Sequence, residues 1–166
     1  MVADRSRTRV DVDRHGGLED AQGMLTRGLA RFVPAPVARR AVAVSVETDR
    51  EGYDRGEPVE ITVTFTNRLP IPVAVPTPQR RRWGWTLDGE LEASDERRYT
   101  RPSPSTFAFR AGERKRVSVV WSGRLERTDG VHESVLPAPG TYEIGAFVAT
   151  REGTYRPSDA TTVEIR

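Results

Sequence analysis

Three observations predict an all-β protein, an antiparallel β-sandwich of about seven or eight short strands. The hydrophobic period changes from helical to two at Ala41. The stretch VEITVTFTN alternates without a break, Val59, Ile61, Val63 and Phe65 on one side and Glu60, Thr62, Thr64 and Thr66 on the other. Further short apolar alternations follow to the end of the chain, with Gly-, Pro- and Asp-rich turn signals between them. No segment recurs, so a repeat architecture is not expected.

Ahead of the strands, residues 1–17 are polar and charged and close on Gly16-Gly17, the composition of a disordered tail. LEDAQGMLTRGLARFVP then carries one helical signal, a short amphipathic helix. Leu18, Leu25, Leu29 and Phe32 share a face, Glu19 and Asp20 suit its start, and Arg27 and Arg31 suit its end. Gly23 and Gly28 weaken it, and Pro34 and Pro36 are expected to end it. Such a helix either packs on its own domain or serves as an arm for a partner or anionic surface. Residues 18–40 are thus helix and proline-containing linker, and 41–166 the sandwich domain.

The strands follow in order. AVAVSVE puts Val42, Val44 and Val46 on one face, and DREGYDRGEP is a turn into VEITVTFTN. IPVAVP has the proline-rich edges of a short or peripheral strand. After the Trp-containing strand come TFAFR, KRVSVVWSG with Val117, Val119 and Trp121 inward, TYEIGAFVAT with Tyr142, Ile144, Ala146 and Val148 inward, and ATTVEIR. Tyr142, just behind Pro139-Gly140 at the start of a late strand, has the setting of a tyrosine corner, whose hydroxyl ties back to a nearby backbone group.

PTPQRRRWGWTLDGE poses the functional question, because three arginines run into two tryptophans. Period two sets Trp83 and Trp85 on one face with Leu87. Facing inward they are core, structural in the same sense as Trp121 and Tyr142, since each aromatic buries ~150–250 Å². Facing outward beside Arg80, Arg81 and Arg82 they would be a nucleic-acid platform. Charge decides against the second reading. The chain has a formal net charge of +2, but the excess lies in residues 1–40; residues 41–166 hold eighteen basic and nineteen acidic groups. Phosphate binding depends on a positive surface, so no nucleic-acid partner is expected. The arginines then form a solvated strand entrance or part of a contact surface for an acidic partner. Only Lys115 among the 26 basic residues is lysine.

Composition closes off several function classes. The 166 residues suffice for one domain with its own core. No apolar run approaches the ~18 residues of a membrane span, and the charged start lacks the apolar stretch of a signal peptide. There is no cysteine, hence no disulfide or thiolate site. A cytoplasmic protein is expected. The two histidines, His15 and His132, do not suffice for a transition-metal site. His132, Glu133 and Ser134 are adjacent, but adjacency is not triad geometry. Asp88 and Glu90 around Gly89 read as a hairpin turn rather than a calcium loop. No cofactor, metal or catalytic residue is expected, and the protein is not expected to be an enzyme.

The candidate contact surface therefore lies in the loops. Residues 88–105 and 122–139 exceed ordinary sandwich connections, and long loops tend to carry function. Candidate partner-binding residues are Arg97, Arg98 and Tyr99 in the first, Val131, His132 and Leu136 in the second, and Arg80, Arg81 and Arg82 at the strand entrance.

The order of GEPVEITVTFTN, PTPQRRRWGWTLDGE, VVWSG and PGTYEIGAFV resembles the BsuPI family of intracellular proteinase inhibitors, over roughly residues 42–165. The matching positions are Gly56, Pro58, Val59, Asn67, Pro76, Thr77, Gln79, Trp83, Asp88, Gly89, Pro139, Gly140 and Tyr142. The resemblance implies an immunoglobulin-like sandwich and a non-catalytic protein-binding function, with a cytoplasmic serine protease as partner. Arg81 and Arg82 stand where that family more often has an aromatic and an acidic residue, and ELEASDERRYTRPSPS replaces its tryptophan-rich turn. A structural or assembly domain without inhibitory activity is the competing expectation.

Overall fold

The computed structural model describes residues 33–91, 103–127 and 133–166. It is an all-β sandwich of immunoglobulin-like type, with one short helix among the described residues. Strands β1 (Val42–Thr48), β3 (Val59–Asn67) and β8 (Arg114–Trp121) form a three-stranded sheet in the order β1-β3-β8. Facing it is a five-stranded sheet, β2-β12-β11-β5-β6, built from β2 (Gly52–Tyr53), β12 (Ser158–Ile165), β11 (Gly140–Val148), β5 (Trp83–Leu87) and β6 (Glu90–Leu91). Two ribbons complete it, β4 (Val73–Thr77) with β7 (Ser105–Phe109), and β9 (Leu125–Arg127) with β10 (Glu133–Val135). Pairing is antiparallel except between β12 and β2.

Alternation places the core where the pattern calls for it. Val59, Ile61, Val63 and Phe65 of β3 are fully buried, because β3 is central to its sheet and its inner face meets β11 and β12 side chains. Ile144, Ala146 and Val148 of β11 and Val163 and Ile165 of β12 supply the facing layer. Two aromatic pairs join the sheets: Phe65 to Trp83, with ring centroids 5.7 Å apart, and Trp121 to Tyr142 at 6.5 Å. Phe107 and Phe109 of β7 extend the first pair at 5.2 and 4.5 Å, and Val73 and Val75 of β4, read as peripheral, are fully buried beside them.

Four local readings are corrected. Residues 35–40, read as linker, are helical instead: Pro34 and Pro36 stand at the start of α1 (Ala35–Ala41). Proline is tolerated in the first turn, where its missing N–H would have no intrahelical partner, and its fixed φ suits the helix. The amides of Val37 and Ala38 donate to the Pro34 carbonyl at 2.9 Å, and α1 buries Ala38 and Ala41. The helix expected over residues 18–32 and the tail lie outside the described residues. The turn DREGYDRGEP contains β2, whose Tyr53 is buried because parallel pairing with the end of β12 holds it against the core. The loop 122–139 contains a hairpin, since β9 and β10 pair in register from Glu133–Arg127 to Val135–Leu125. Finally, twelve strands stand among the described residues, the added ones being the short β2, β6, β9 and β10.

The β5–β6 connection follows the residues directly. Asp88 (φ 49°) and Gly89 (φ 78°) both take positive φ, the mark of the two-residue turn that matches strand twist. Asp88 also grips β11: its amide donates to the Glu143 carbonyl and its Oδ1 accepts from the Glu143 amide, each at 2.8 Å.

Candidate binding recess

On the outer face of the five-stranded sheet, register sets Phe147 between Gly84 of β5 and Ser158 of β12, and Gly145 between Thr86 and Ala160. These small neighbours leave the large outward Phe147 half-buried on the sheet. A side chain at Gly145 would collide with Thr86, whose Oγ1 lies 2.6 Å from the position a Cβ would take. Two loops rise beside this floor. Residues 78–82 lead into β5, held by the Thr77 hydroxyl donating to the Gln79 carbonyl at 2.8 Å. Residues 149–157 join β11 to β12, pinned where the Ala149 amide donates to the Arg82 carbonyl and the Val148 amide to the Pro157 carbonyl, both at 2.9 Å.

Between the loops lies an open recess of about 350 Å³. Arg81 enters its lining from one loop and Arg156 from the other, and Pro78, Phe147 and Ala149 supply apolar wall. No acidic side chain lines it among the described residues. The Arg156 guanidinium lies 4.7 Å from the centre of the Phe147 ring, a cation–π contact that holds it over the floor. Partial burial pulls the Arg81 pKa below the ordinary arginine value, while leaving it charged near neutrality. Thr150, also lining the recess, is buried, and its hydroxyl has no hydrogen-bond partner among the described residues.

The structure separates the residues singled out in the sequence. Arg80 and Arg82 are exposed at the strand entrance, and Arg81 is half-buried in the recess. Trp121 is buried, donating from Nε1 to the Arg124 carbonyl at 2.9 Å. Trp83 and Trp85 pack against the core but remain half-exposed. Among the described residues the neighbouring β6 is two residues long and pairs with Thr86 and Leu87, leaving Trp83 and Trp85 without a strand partner on that side. Tyr142 donates its hydroxyl to the Ala138 carbonyl at 2.8 Å. Leu136 is exposed and lies over Gly56, its Cδ2 2.9 Å from where a Cβ there would stand. It precedes the first residue of β11, whereas the Arg82 carbonyl is bonded just past the last. Nine residues of strand, ~30 Å, separate the two ends. Leu136 therefore does not join the arginines in one surface. Arg97, Arg98, Tyr99, Val131 and His132 lie outside the described residues.

Arg156, Phe147 and Thr150 were not singled out in the sequence. A bulky aromatic at an outward position of β11, next to Gly145, is a signal for Phe147. Arg156 has no such signal; it shares the recess with Arg81 through the β5-β11-β12 strand order.

Among the described residues, no group of three or more His, Cys, Asp or Glu side chains is placed to hold a metal ion, and no helix is long and apolar enough to cross a membrane.

Solved structures similar to the chain include the CARDB domain of a Pyrococcus furiosus protein, at 14% identity and TM-score 0.47, covering 75% of this chain and 94% of that one. The Bacillus subtilis sporulation control protein Spo0M aligns at 16% identity and TM-score 0.47, over 76% of this chain and 49% of its own. A Listeria innocua β-glucosidase aligns at 16% identity and TM-score 0.44, over 75% of this chain but only 16% of the enzyme. No curated protein matches the chain in sequence. A family model matches residues 30–166, most of the chain, and the chain thus belongs to DUF7974, a family of unknown function.

Proposed function

We propose that this chain is a non-catalytic protein-binding β-sandwich module. The observation behind this reading is the recess itself: two arginines from separate loops, over an aromatic floor, mounted on three paired strands. Loops held by a rigid scaffold are a common setting for recognition, and arginine and aromatic residues are enriched at interface centres. Its lining gathers cations and hydroxyls rather than an acid–base pair among the described residues, which supports holding over catalysis. The resemblance of residues 42–165 to BsuPI-type inhibitors makes a cytoplasmic serine protease the partner class to test first.

The test is site-specific photo-crosslinking in the native cell, with the reactive amino acid at position 82, beside the recess, or at position 118, on the outer face of β8. A discrete protein adduct at position 82 and none at position 118 is expected. Equal adducts at both positions, or none at either, defeat the reading. Residual peptidase activity of intracellular subtilisin-type proteases, measured with micromolar purified chain, then separates an inhibitor from an assembly domain. Full protease activity removes the inhibitor assignment and leaves the interaction module.

A further inference from the structure

We propose that one end of the sandwich docks on the surface of an anionic phospholipid bilayer, the end built by α1 and the loops 68–72, 78–82 and 149–157. The proposal goes beyond the protein-binding reading and does not depend on it. Contacts join the four segments into one surface. The Arg68 amide donates to the Ala41 carbonyl at 2.9 Å, and the Arg40 guanidinium lies 5.4 Å from the centre of the Tyr155 ring. The Ala149 amide donates to the Arg82 carbonyl at 2.9 Å. Charge is segregated along the molecule. Arg81 apart, the four segments hold seven arginines and one acidic residue, Glu152. Arg40, Arg68, Arg80, Arg82, Arg151 and Arg156 are exposed. The turn 49–58, at the opposite end where β12 finishes, holds four acidic residues and two arginines. Residues 1–32, 92–102 and 128–132, outside the described ones, hold nine basic and nine acidic groups, so they add no net charge.

The same end exposes apolar side chains. Val37 on α1, Ile71 in the 68–72 loop and Tyr155 in the 149–157 loop are each about half exposed. α1 keeps Ala38 and Ala41 in the core, which turns Val37 and Arg40, three positions apart, outward together. Apolar side chains set among cations match a bilayer interface. The acyl boundary takes the apolar groups, and the surrounding phosphates meet the cations. Tyrosine suits the same boundary, with an apolar ring and a wet hydroxyl. A nucleic acid satisfies the arginines through its phosphates, but that backbone gives Val37 and Ile71 no apolar partner. The cations are spread over one helix and three loops, which suits an extended anionic plane better than a single acidic peptide. Each arginine near such a surface is worth roughly fivefold in affinity.

The experiment is vesicle flotation of the full chain at physiological salt, using phosphatidylcholine vesicles with and without phosphatidylglycerol. Binding is expected only with phosphatidylglycerol present. Val37→Ser combined with Ile71→Ser is expected to weaken it about tenfold, the effect of losing partial burial of two aliphatic side chains. Arg40→Gln combined with Arg151→Gln is expected to weaken it about twentyfold. All four positions are exposed, so unchanged melting temperatures are expected for both pairs. Val120→Ser, at an exposed position near the far end of β8, is expected to leave binding unchanged. No binding to phosphatidylglycerol vesicles, equal binding without that lipid, indifference to either pair of substitutions, or equal weakening by Val120→Ser overturns the proposal. Single-stranded RNA or polyglutamate bound as tightly as the vesicles, and unmoved by the Val37 and Ile71 pair, overturns it too, by showing a general polyanion surface. Failure in any of these arms leaves the cellular adduct at position 82 as the separate test of protein binding.

Discussion

The Asn67 side chain donates to the Arg110 carbonyl at 2.8 Å, joining the end of β3 to the turn between β7 and β8, 43 residues away. The same amide group donates to the Ile71 carbonyl at 2.8 Å, and Oδ1 accepts from the Leu69 amide at 3.0 Å. With the residue only 1% exposed, this one side chain serves three backbone groups, of which the Arg110 carbonyl also accepts from the Glu113 amide at 3.2 Å. Asn67→Leu keeps the branched shape and the number of side-chain heavy atoms and removes all three side-chain bonds. It is expected to cost about 2–4 kcal/mol, one or two unsatisfied buried groups at about 1–3 kcal/mol each. Urea unfolding measures it; a loss under about 0.5 kcal/mol would mean that water replaces the clamp.

The three tryptophans are expected to separate by burial. Trp121 is buried and bridges the sheets, so Trp121→Ala should cost about 3–5 kcal/mol. Trp85 is half-exposed with no ring contact among the described residues, and Trp85→Ala should cost about 1–3 kcal/mol. Trp83 falls between, through its contact with Phe65 at 5.7 Å. Acrylamide quenching of single-tryptophan variants should follow the reverse order, and equal quenching of all three would contradict the packing.

Two glycines with similar backbone angles should respond differently to alanine. Gly123 (φ 72°) stands so close to the Glu57 carbonyl that a Cβ would collide with it. Left-handed strain of about 1–2 kcal/mol then adds to a backbone clash, giving about 2–4 kcal/mol for Gly123→Ala. Gly89 (φ 78°) has nothing within 4 Å of that position. Gly89→Ala should cost only the strain, about 1–2 kcal/mol. Melting temperatures compare the pair directly, and equal losses would refute the close approach.

Acid should loosen the turn before β3. Tyr53 donates its hydroxyl to Asp49 at 2.6 Å, and this bond, aided by Arg50, holds the Asp49 pKa below the ordinary carboxylate value. The Asp54 amide and then Arg50 lower that of Glu57. Depressed folded-state pKa values stabilise the protein above the unfolded values, near pH 4. That contribution is lost as pH falls through the lower folded values. Unfolding free energy should therefore drop below about pH 4, and the gap between the native chain and Asp49→Asn should close as pH falls. A gap that persists or widens in acid would show that the carboxylate charge is not what the Tyr53 bond supports.

Period two in residues 42–48, 59–67, 140–148 and 158–165 determines strands with known inner faces, because successive side chains alternate whatever the partner. The core residues of β3 and β11 were therefore legible in the sequence, as was the Asp88-Gly89 hairpin, whose turn chemistry is local. α1 was missed because a proline that stops one helix can start the next. The hairpin of β9 and β10 was missed because its strands are three residues each, too short for alternation to show. The recess lay further out of reach. Arg81 and Arg156 are 75 positions apart, and they line one cavity only because β11 pairs with β5 on one side and β12 on the other. Alternation assigns each strand its inner face but carries no term for which strand lies beside which. That order comes from the joint packing of all the inner faces, and it set both arginines in the lining of one recess with Phe147.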